Sequence, residues 1–450
     1  MSPGPRVIVV GAGIAGLAAA FRLQQAGCTV LILERSGPEL VGGRMATVER
    51  GGFPIDVGAT LLLSSYTAML TLAADAGAAD LIRPAGTTYG LVRDGEVQRF
   101  RSDSVGSAVT STFLRGLAKR DLAKIAADFL RIRPHLGWDD MTRTAGLDFE
   151  TVYDYTLRRG LRTDTFEYLL APFTAGPALA EPEHASIVSG FFAFNTIIAS
   201  RGGFTTPQGV GFLPQALARQ VPVEYHAEVT SVEERAGETV VTWTREGQDE
   251  RQESCDACVL AVPPPHAAAL FGQLNDLERA YLTAVEYSRS VHVAFGLERT
   301  TRETSLLVQV PRIEHPHLVA YVLEHNQAPD RVPAGKGLVM AHFRGTWSAE
   351  HWDLDDSKVV DHALAETTRL GILPELAEHT VLSEVFRVSP CTVIRRPGIY
   401  REASRIAASL NGRTRVQFAG GDFLAQSTTN SSLVSGENAA RRLLAALRRS

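Results

Sequence analysis

Apolar residues follow two alternating patterns at the start of the chain. Residues Arg6–Val10 form a short β-branched apolar run, typical of a parallel strand buried on both faces. From residue 14 to residue 26 the pattern is helical, and Gly27 supplies a stop for that helix. A second apolar run follows at residues 29–33. This order of strand, helix and strand predicts an α/β fold with a Rossmann-type parallel sheet.

Strand-like and helical patterns continue to alternate along the rest of the chain. Strands are predicted at residues 87–100 as a hairpin, and at 223–232, 239–244, 257–262, 290–297, 318–323, 337–343 and 415–419. Helices are predicted at residues 66–76, 213–220, 356–370 and 433–447. Three prolines at residues 263–265 mark an exit from one domain. The glycine-rich loop at residues 201–211 fits either a phosphate cradle or a return crossing between domains.

The turn after the first strand reads Gly11-Ala-Gly13-Ile-Ala15-Gly16. Gly11 permits a tight turn, Gly13 lets the backbone approach a pyrophosphate, and Gly16 lets the helix pack on the sheet. The helix start offers unpaired N–H groups and a positive dipole end to phosphates. Glu34, after the second strand, would meet the hydroxyls of an adenosine ribose and disfavours a 2′-phosphate. Because all these parts stand at the required distances, a dinucleotide site is favoured over a structural turn.

Length and composition bound the class of protein. The 450 residues are too many for one core and fit two domains. A hydrophobic content of 45% and a net charge of −5 describe an ordinary soluble globular protein, and no strongly basic field suggests nucleic acid. The first strand begins close to Met1, leaving no room for a signal peptide, and no apolar run is long enough to span a bilayer. We therefore expect a cytoplasmic protein.

A basic amphipathic stretch leaves a second location open. Residues 104–167 are mostly helical in pattern, and basic residues accompany the apolar stripe of Phe113, Ile125 and Phe129. Such a stretch could touch a membrane surface. A helix that packs within the domain and exposes a basic face is favoured, because two aspartates interrupt the charge.

Cysteine and histidine spacing gives little sign of redox or metal chemistry. Four cysteines are too few for a secreted disulfide framework. Cys255 and Cys258 have the spacing of a redox pair but lead into a strand, so a structural pair is favoured. Only His315 and His317 are close together among the histidines, and no spacing suggests a metal site.

Two further motifs follow the glycine turn: Gly42-Gly43-Arg44, and then Asp56-Val-Gly58-Ala59-Thr60. The whole series resembles the amino-terminal signature of the flavin amine oxidoreductase superfamily, which includes monoamine oxidases, protoporphyrinogen oxidases and phytoene-type desaturases. The resemblance implies that the ligand is FAD rather than NAD. It also implies that Arg44 approaches the pyrophosphate and that the backbone of residues 58–61 lies near the flavin.

The carboxy terminus extends the resemblance. The strand at residues 415–419, Gly421-Asp422 and the helix at residues 433–447 resemble the superfamily's closing motif, with Ser431 and Ser432 as helix caps. By that resemblance Asp422 accepts a hydrogen bond from a ribityl hydroxyl. The helix start faces the flavin pyrimidine, where its dipole stabilises the reduced cofactor. Family members often have Gly-Ala where this chain has the two serines.

The middle of the chain points to one branch of the superfamily. Residues 152–160, 169–176 and 182–186 resemble the corresponding part of protoporphyrinogen oxidases and related desaturases. This favours that branch over the monoamine oxidases.

The resemblance implies a set of FAD-binding residues drawn from both ends of the chain and from one strand between them. They are Gly11, Gly13, Ala15, Gly16, Glu34, Arg35, Gly43, Arg44, Gly58, Ala59, Thr60, Val229, Gly421, Asp422, Ser432 and Leu433. FAD is expected to bind noncovalently, because Cys391 stands in a different context from the family's anchoring cysteine.

The resemblance also implies two interleaved domains. The Rossmann-type FAD-binding domain takes residues 1–80, 205–265 and 410–450. An α+β substrate-binding domain is inserted as residues 81–204 and 266–409. Ligand pockets prefer such domain interfaces.

These features predict an FAD-dependent oxidoreductase that removes hydride from a C–C or C–N bond of a sizeable, mainly apolar substrate. Oxygen or another acceptor would reoxidise the flavin. No second GxGxxG follows, so a dedicated NAD(P)H site is not indicated. The alternatives are a flavin amine oxidase, a non-redox flavin-dependent mutase or isomerase, and a non-catalytic carrier like the GDP-dissociation inhibitors. Monomer and homodimer are both compatible with the sequence.

Three side chains are candidates for work on the substrate. His292 stands where monoamine and polyamine oxidases commonly place a lysine, and it could carry a proton; a satisfied strand histidine is the alternative. Arg395 and Tyr400 fall in a segment that related enzymes bring against the substrate face of the flavin. Arg395 could bind a carboxylate there, with a solvated loop as the alternative.

Overall fold

The computed structural model describes residues 4–104, 106–107, 112–200 and 202–449. Within these ranges the strands are β1 Arg6–Val10, β2 Thr29–Glu34, β3 Thr47–Arg50, β4 Phe53–Asp56, β5 Leu62–Leu63, β6 Arg83–Pro84, β7 Thr88–Arg93, β8 Glu96–Arg101, β9 Gly203–Thr205, β10 Val223–Tyr225, β11 Ala227–Arg235, β12 Glu238–Arg245, β13 Arg251–Cys255, β14 Ala257–Leu260, β15 Ser290–Leu297, β16 Leu307–Gln309, β17 Leu318–Leu323, β18 Gly337–Phe343, β19 Thr380–Val388 and β20 Val416–Phe418.

The α-helices of the same ranges are α1 Ile14–Gln25, α2 Thr67–Asp75, α3 Asp121–Ile132, α4 Val152–Arg159, α5 Thr163–Thr165, α6 Ala171–Ala178, α7 Ile187–Ile198, α8 Phe212–Ala218, α9 Pro264–Leu270, α10 Asp276–Thr283, α11 Gly345–Glu350, α12 Asp356–Leu370, α13 Glu375–His379, α14 Ile399–Asn411, α15 Gly421–Leu424 and α16 Thr429–Leu447. A π-helical turn, Phe166–Leu170, joins α5 to α6. None of these helices combines the length and the hydropathy that crossing a bilayer requires.

A parallel sheet of five strands, in the order β10-β2-β1-β14-β20, forms one half of the molecule. Its β-branched strands are buried on both faces, as their uniformly apolar sequences predict. Val7 and Val9 pack towards α1 and α16, and Ile8 and Val10 pack towards α9, α10 and α14. The sheet therefore has helices on both faces.

A mixed sheet of seven strands forms the other half, in the order β19-β15-β18-β17-β16-β7-β8. Only β16 and β7 pair in parallel among its strands. Val359 and Ala363 of α12 share a core with one face of this sheet, and Phe53 and Ile55 of the β3–β4 hairpin share a core with the other. Helices α3 to α7 form a separate apolar core.

The packing differs from the predicted domain boundaries at two places. Residues 266–285 and 399–409 were assigned to the inserted domain, but Phe271, Leu282 and Ile406 share the core of the parallel sheet. We propose that both segments belong with the Rossmann-type domain. A proline run marks a break in secondary structure but does not say which sheet the next helix will cover.

The polar stretch at residues 426–432 was interpreted with the wrong helix start. Helix α16 begins at Thr429, and Thr428 is its N-cap, with its hydroxyl accepting a 3.0 Å hydrogen bond from the Ser431 N–H. The predicted caps Ser431 and Ser432 therefore lie inside the first turn. Five successive residues from Thr428 are of types that cap helices well, so the pattern could not select one of them.

Two other predictions need adjustment. The strand predicted at residues 223–232 is broken at His226, whose φ of 57° ends β10 before β11 begins. The helical pattern predicted from residue 104 includes residues 105 and 108–111, which lie outside the described residues, as does Arg201 of the glycine-rich loop. In α3, Ile125 and Phe129 are buried, in keeping with a packed amphipathic helix.

Candidate functional site

A cavity of about 820 Å³ lies between the two sheets and the α6–α7 helices. Most of the sequence-predicted cofactor residues line it, although they come from both ends of the chain. The lining includes Gly11, Gly13, Ala15, Glu34, Arg35, Gly43, Arg44, Gly58, Ala59, Thr60, Val229, Asp422 and Ser432. We call the part formed by these residues the cofactor cradle.

The glycine turn of the cradle leaves no room for side chains on its protein side. A Cβ on Gly16 would lie 2.0 Å from the Gly11 carbonyl oxygen, and Gly11 itself has a φ of 101°. A Cβ on Gly13 would meet no protein atom within 4 Å. Gly13 is also the N-cap of α1, and no side chain caps that helix. The first N–H groups of α1 are therefore free to bind an anion in the cradle.

Glu34 stands at the end of β2 and ties two loops of the cradle together. Its two carboxylate oxygens accept hydrogen bonds from the Ala12 N–H at 2.7 Å and from the Ser36 N–H at 2.8 Å. A carboxylate has about four lone-pair sites, so each oxygen keeps capacity for another donor. This fits an acidic residue that receives hydroxyl groups of a ribose.

Arg44 and Asp422 form an ion pair that closes the cradle. The guanidinium donates to an Asp422 oxygen at 2.6 Å and to the Cys391 carbonyl at 2.6 Å. Tyr287 and Ser427 donate their hydroxyls to the same carboxylate, at 2.8 Å and 2.7 Å. Burial would by itself raise the pKa of Asp422, but Arg44 and these hydroxyls hold that pKa below its ordinary value. Asp422 is therefore an anion inside the protein.

This pairing differs in part from the sequence-based expectation. Arg44 was expected at a pyrophosphate and Asp422 at a ribityl hydroxyl, whereas in the structure they contact each other. Both still line the cavity. Tyr287 and Ser427, which hold Asp422 in place, were missed because neither belongs to a recognisable motif.

Three predicted cofactor residues lie behind the cradle surface. Gly16 faces the Gly11 carbonyl oxygen, which a Cβ on Gly16 would approach to 2.0 Å. Gly421 faces the Gln426 carbonyl oxygen, which a Cβ would approach to 2.3 Å. Leu433 is fully buried in the core shared with α1. The start of α16 reaches the cavity through Thr428 and Thr429, which both line it.

Beyond the cradle the cavity becomes an apolar chamber, lined by side chains from α6, α7 and the seven-stranded sheet. Its apolar lining comprises Tyr89, Phe100, Phe173, Leu179, Phe192, Ile197, Leu307, Val319 and Val322. Thr174, Gln309 and His342 are polar residues of the same wall. Arg387 also lines the cavity, but its guanidinium donates to the Trp352 carbonyl at 2.8 Å and bonds Asp356, away from the chamber.

A stack of three rings crosses the seven-stranded sheet beside the chamber. His292 pairs in register with His342 on one side and with Phe386 on the other, at ring centroid distances of 4.7 Å and 5.4 Å. His342 lines the cavity, whereas His292 does not. Burial lowers the pKa of His342 to about 4 and that of His292 well below its ordinary value. Both imidazoles are therefore neutral, and within the described residues neither Nε2 atom has a partner.

Arg395 and Tyr400, the predicted substrate residues, do not line the cavity. Arg395 is 2% exposed and donates to the backbone carbonyls of Gly421 at 3.3 Å and Asp422 at 2.6 Å. Tyr400 is fully buried and its hydroxyl bonds Gln426. The two side chains support the loop that carries Asp422. This geometry matches neither the predicted contact with substrate nor the alternative, in which Arg395 lies in a solvated loop.

Comparison with known proteins decides the family. The family model described as flavin containing amine oxidoreductase matches residues 14–444. The chain belongs to this family. The resemblance to the superfamily and the expectation of FAD are thereby confirmed.

Relatives of this flavin amine oxidoreductase include proteins from both branches considered above. A putative flavin-containing monoamine oxidase of Mycobacterium tuberculosis is 29% identical over 281 residues, 59% of this chain and 58% of its own length. Phytoene dehydrogenase of Streptomyces griseus is 28% identical over 301 residues, 60% of this chain and 57% of its own length. Protoporphyrinogen oxidase 2 of Arabidopsis thaliana is 24% identical over 280 residues, 54% of this chain and 53% of its own length. The chain thus spans little more than half the length of these curated relatives. The solved structure of cyclohexylamine oxidase from Brevibacterium oxydans aligns with 99% of this chain and 100% of its own, with a TM-score of 0.77 and 18% identity. That likeness confirms the predicted fold class.

The residues present fit FAD. Gly13 has no side chain to block a pyrophosphate, and the start of α1 has no side-chain cap within the described residues. Glu34 can still accept hydrogen bonds from ribose hydroxyls. The second helix end, at Thr428 and Thr429, opens on the part of the cavity that adjoins the chamber. This flavin amine oxidoreductase therefore has a cradle for the cofactor and, adjoining it in the same cavity, an apolar chamber.

Proposed function

We propose that this protein is an FAD-dependent oxidoreductase that removes hydride from a C–C or C–N bond of a sizeable, mainly apolar substrate. The observation that carries the proposal is the continuity of the cofactor cradle with the apolar chamber in one cavity. Bound FAD supplies the hydride acceptor. The protein supplies a place in which an apolar molecule can lie against that cofactor.

The chamber wall supports a neutral apolar substrate over a charged one. Among the lining residues that the structure describes, α6, α7 and the seven-stranded sheet contribute no lysine, aspartate or glutamate, and Arg387 turns its charge away. Burying an unpaired charge in such a wall would cost several kcal/mol. Aromatic and aliphatic side chains instead offer contacts to a hydrocarbon or a flat ring system.

His342 is the polar group best placed to orient such a substrate. Its neutral imidazole can give or accept one hydrogen bond, and its buried Nε2 atom lacks a protein partner within the described part of the chain. A buried polar atom without a partner is unfavourable, and a substrate oxygen or nitrogen would relieve that cost. We propose His342, rather than the sequence-predicted His292, as the histidine that contacts substrate.

Two helix ends support the cofactor electrostatically. The start of α1 faces the pyrophosphate part of the cradle, and the start of α16 faces the part next to the chamber. Each helix start carries a positive partial charge. A cofactor that gains negative charge on reduction is stabilised by the second of these ends, so we propose that α16 favours the reduced flavin.

The decisive experiment is an absorbance spectrum followed through anaerobic photoreduction and admission of air, and then a substrate screen. The screen would use a polyene hydrocarbon, a reduced porphyrin and a set of primary and secondary amines. We expect flavin bands that bleach on photoreduction, and bleaching by the polyene or the porphyrin but by no amine. Rapid return of the bands in air would identify an oxidase.

Other outcomes would replace the proposal. Bleaching by amines alone would identify a flavin amine oxidase. Turnover that requires pre-reduced flavin and gives no net oxidation would identify a mutase or isomerase. A colourless protein that FAD does not reconstitute would leave only a non-catalytic carrier.

A further inference from the structure

A cluster of three metal-ligating side chains lies apart from the flavin cavity. It consists of His317, just before β17, and His362 and Glu366 on α12. None of the three lines the cavity. The His362 ring packs on Phe343, whose neighbour His342 lines the chamber. Successive residues of a strand face opposite sides of a sheet, so the cluster lies on the outer face.

The distances within the cluster are close to those of a metal coordination shell. His317 Nδ1 and His362 Nε2 are 3.2 Å apart, and each is 3.9 Å from Glu366 Oε1. Ligand atoms about 2.0–2.1 Å from a tetrahedral zinc ion lie roughly 3.3 Å from one another. Two nitrogens and one oxygen therefore form nearly one face of such a tetrahedron.

The elements hold these donors in place without a ligand. His362 and Glu366 are four residues apart on α12, so both project from the same helix face. The His362 ring is nearly parallel to the Trp347 ring, with 5.0 Å between centroids and 11° between planes. Helix geometry and ring stacking therefore orient His362 before any ion arrives.

Within the described part of the chain, the hydrogen bonds to Glu366 all reach one of its two oxygens. His315 Nδ1 accepts hydrogen bonds from the backbone N–H groups of His317 at 3.2 Å and Leu318 at 3.1 Å, so a neutral His315 carries its proton on Nε2. That Nε2 donates to Glu366 Oε2 at 2.5 Å, and Arg369 bonds the same oxygen. Oε1 is left facing the two imidazoles. Such outer contacts orient metal ligands in known sites.

The same contacts select the kind of ion. Arg369 balances the charge of Glu366, so electrostatic attraction for a hard cation is weak at this position. Two imidazole nitrogens provide most of the affinity. That donor set favours Zn²⁺ and similar transition metals over Mg²⁺ and Ca²⁺, which prefer oxygen ligands.

We propose that His317, His362 and Glu366 bind one Zn²⁺-type ion, with the fourth position open to solvent. His317 and His362 are 37% and 29% exposed, which gives the ion a path of entry. The ion links the segment before β17 to α12 over the outer face of the seven-stranded sheet. The site is separate from the flavin cavity and does not depend on the proposed oxidoreductase function.

The test is equilibrium dialysis of tag-free, flavin-loaded protein against Zn²⁺, with Co²⁺ as a spectroscopic probe. We expect one Zn²⁺ per chain and the strong visible bands of tetrahedral Co²⁺. His362→Ala and His317→Ala should weaken binding at least 100-fold, and Glu366→Gln at least tenfold. His351→Ala is the matched control. The His351 ring stacks on Trp347 of α11, as the His362 ring does, but His351 is not among the three ligands. It should bind as the unaltered protein does.

Each variant must first show the unaltered flavin spectrum and melting temperature without metal, so that misfolding is recognised. If His362→Ala fails that check, His317→Ala and Glu366→Gln remain as tests, because His317 lies outside the helix and glutamine keeps the shape of Glu366. No Zn²⁺ bound at micromolar concentration would overturn the proposal. So would binding that survives the His317→Ala and Glu366→Gln substitutions, or that is lost in His351→Ala.

Discussion

The cofactor cradle and the apolar chamber share one cavity but are built in different ways. The cradle is formed mainly by backbone, by glycines that exclude a Cβ, and by charged side chains with assigned partners such as Arg44 and Asp422. The chamber is formed by side chains, and its polar atoms at Gln309 and His342 lack partners within the described residues. The cradle is complete without substrate, whereas the chamber has unsatisfied groups that a ligand could satisfy.

From this difference we expect the two regions to tolerate substitution unequally. Backbone constraints in the cradle tie its shape to particular residue types, so a small substitution there disturbs the fold or the cofactor. The chamber can exchange one apolar side chain for another and alter what it accepts, while the core stays packed. We therefore expect substitutions in the cradle to alter cofactor binding and substitutions in the chamber to alter which substrate is accepted.

The largest effect is expected at the turn of the cradle. In Gly16→Ala the new Cβ would lie 2.0 Å from the Gly11 carbonyl oxygen, which forces helix and strand apart at a cost of about 3 kcal/mol or more. Gly13→Ala is the matched control, since its Cβ would meet no protein atom within 4 Å. We expect Gly16→Ala to unfold at much lower denaturant concentration than the wild type.

Gly13→Ala should keep the stability of the apoprotein within about 1 kcal/mol and lose at least tenfold in FAD affinity. Denaturant unfolding of the apoprotein and flavin fluorescence titration measure the two quantities separately. Unchanged FAD affinity in Gly13→Ala would show that the pyrophosphate does not lie on this glycine.

The same contrast explains what the sequence could predict. Strands β15, β17 and β18 and helix α12 have the bounds that their patterns predict, because hydrophobic periodicity is local. The cradle could be anticipated because Gly11, Gly13 and Glu34 must stand at fixed distances. The position of His342 at the cavity wall could not be anticipated, because it depends on strands that pair across dozens of residues of sequence. The burial of Arg395 likewise depends on a carbonyl more than twenty residues away.

The next effect concerns the ion pair that closes the cradle. Arg44→Met removes the cation beside Asp422, which is 2% exposed. Among the described residues, the Tyr287 and Ser427 hydroxyls then remain as donors to this carboxylate. We expect the apoprotein to lose about 3 kcal/mol, because a buried anion is left without its countercharge. The double variant Arg44→Met/Asp422→Asn should recover part of that loss. A single variant within 1 kcal/mol of wild type in urea unfolding would contradict this account.

A third prediction concerns the contact that joins the β3–β4 hairpin to the seven-stranded sheet. Arg331 is fully buried, 2.9 Å from Asp56 beside the cradle and 3.0 Å from Glu324 beside the chamber. Burial raises the pKa of Glu324 to about 8, and the negative charge of Asp56 adds to that increase. The folded state therefore keeps a proton that the unfolded chain has already lost above about pH 5. Stability from this group is present at low pH and is lost as the pH rises towards 8.

Glu324→Gln should abolish this part of the pH dependence. We expect wild type to lose about 2 kcal/mol relative to Glu324→Gln between pH 5 and pH 8, measured by urea unfolding at each pH. Buried histidines titrate in the opposite direction, so only the difference between the two proteins reports on Glu324. The exposed Glu246→Gln is the control and should follow wild type. A parallel response of all three proteins would show that Glu324 is ionised throughout.

A fourth prediction separates the two stacked histidines, His342 in the chamber wall and His292 behind it. His342→Phe keeps an aromatic ring in the stack but removes the Nε2 atom at the cavity wall. We expect turnover of the substrate found by screening to fall about tenfold, with FAD affinity unchanged. His292→Phe, one strand away and outside the lining, should have a smaller effect on kcat/KM. The reverse order would restore His292 as the functional histidine.

The smallest effect is expected at Cys391, where the cradle meets the chamber. Cys391 lines the cavity, but burial raises the pKa of its thiol to about 11. Because the thiolate is the nucleophile, a thiol that stays protonated near neutral pH is poorly suited to bond the flavin. We expect acid denaturation to release all FAD from the wild-type protein and from Cys391→Ala alike, and intact mass spectrometry to give the unmodified chain. A flavin mass retained by wild type and absent from Cys391→Ala would instead identify a covalent anchor, which would mean that bound cofactor changes the surroundings of this thiol.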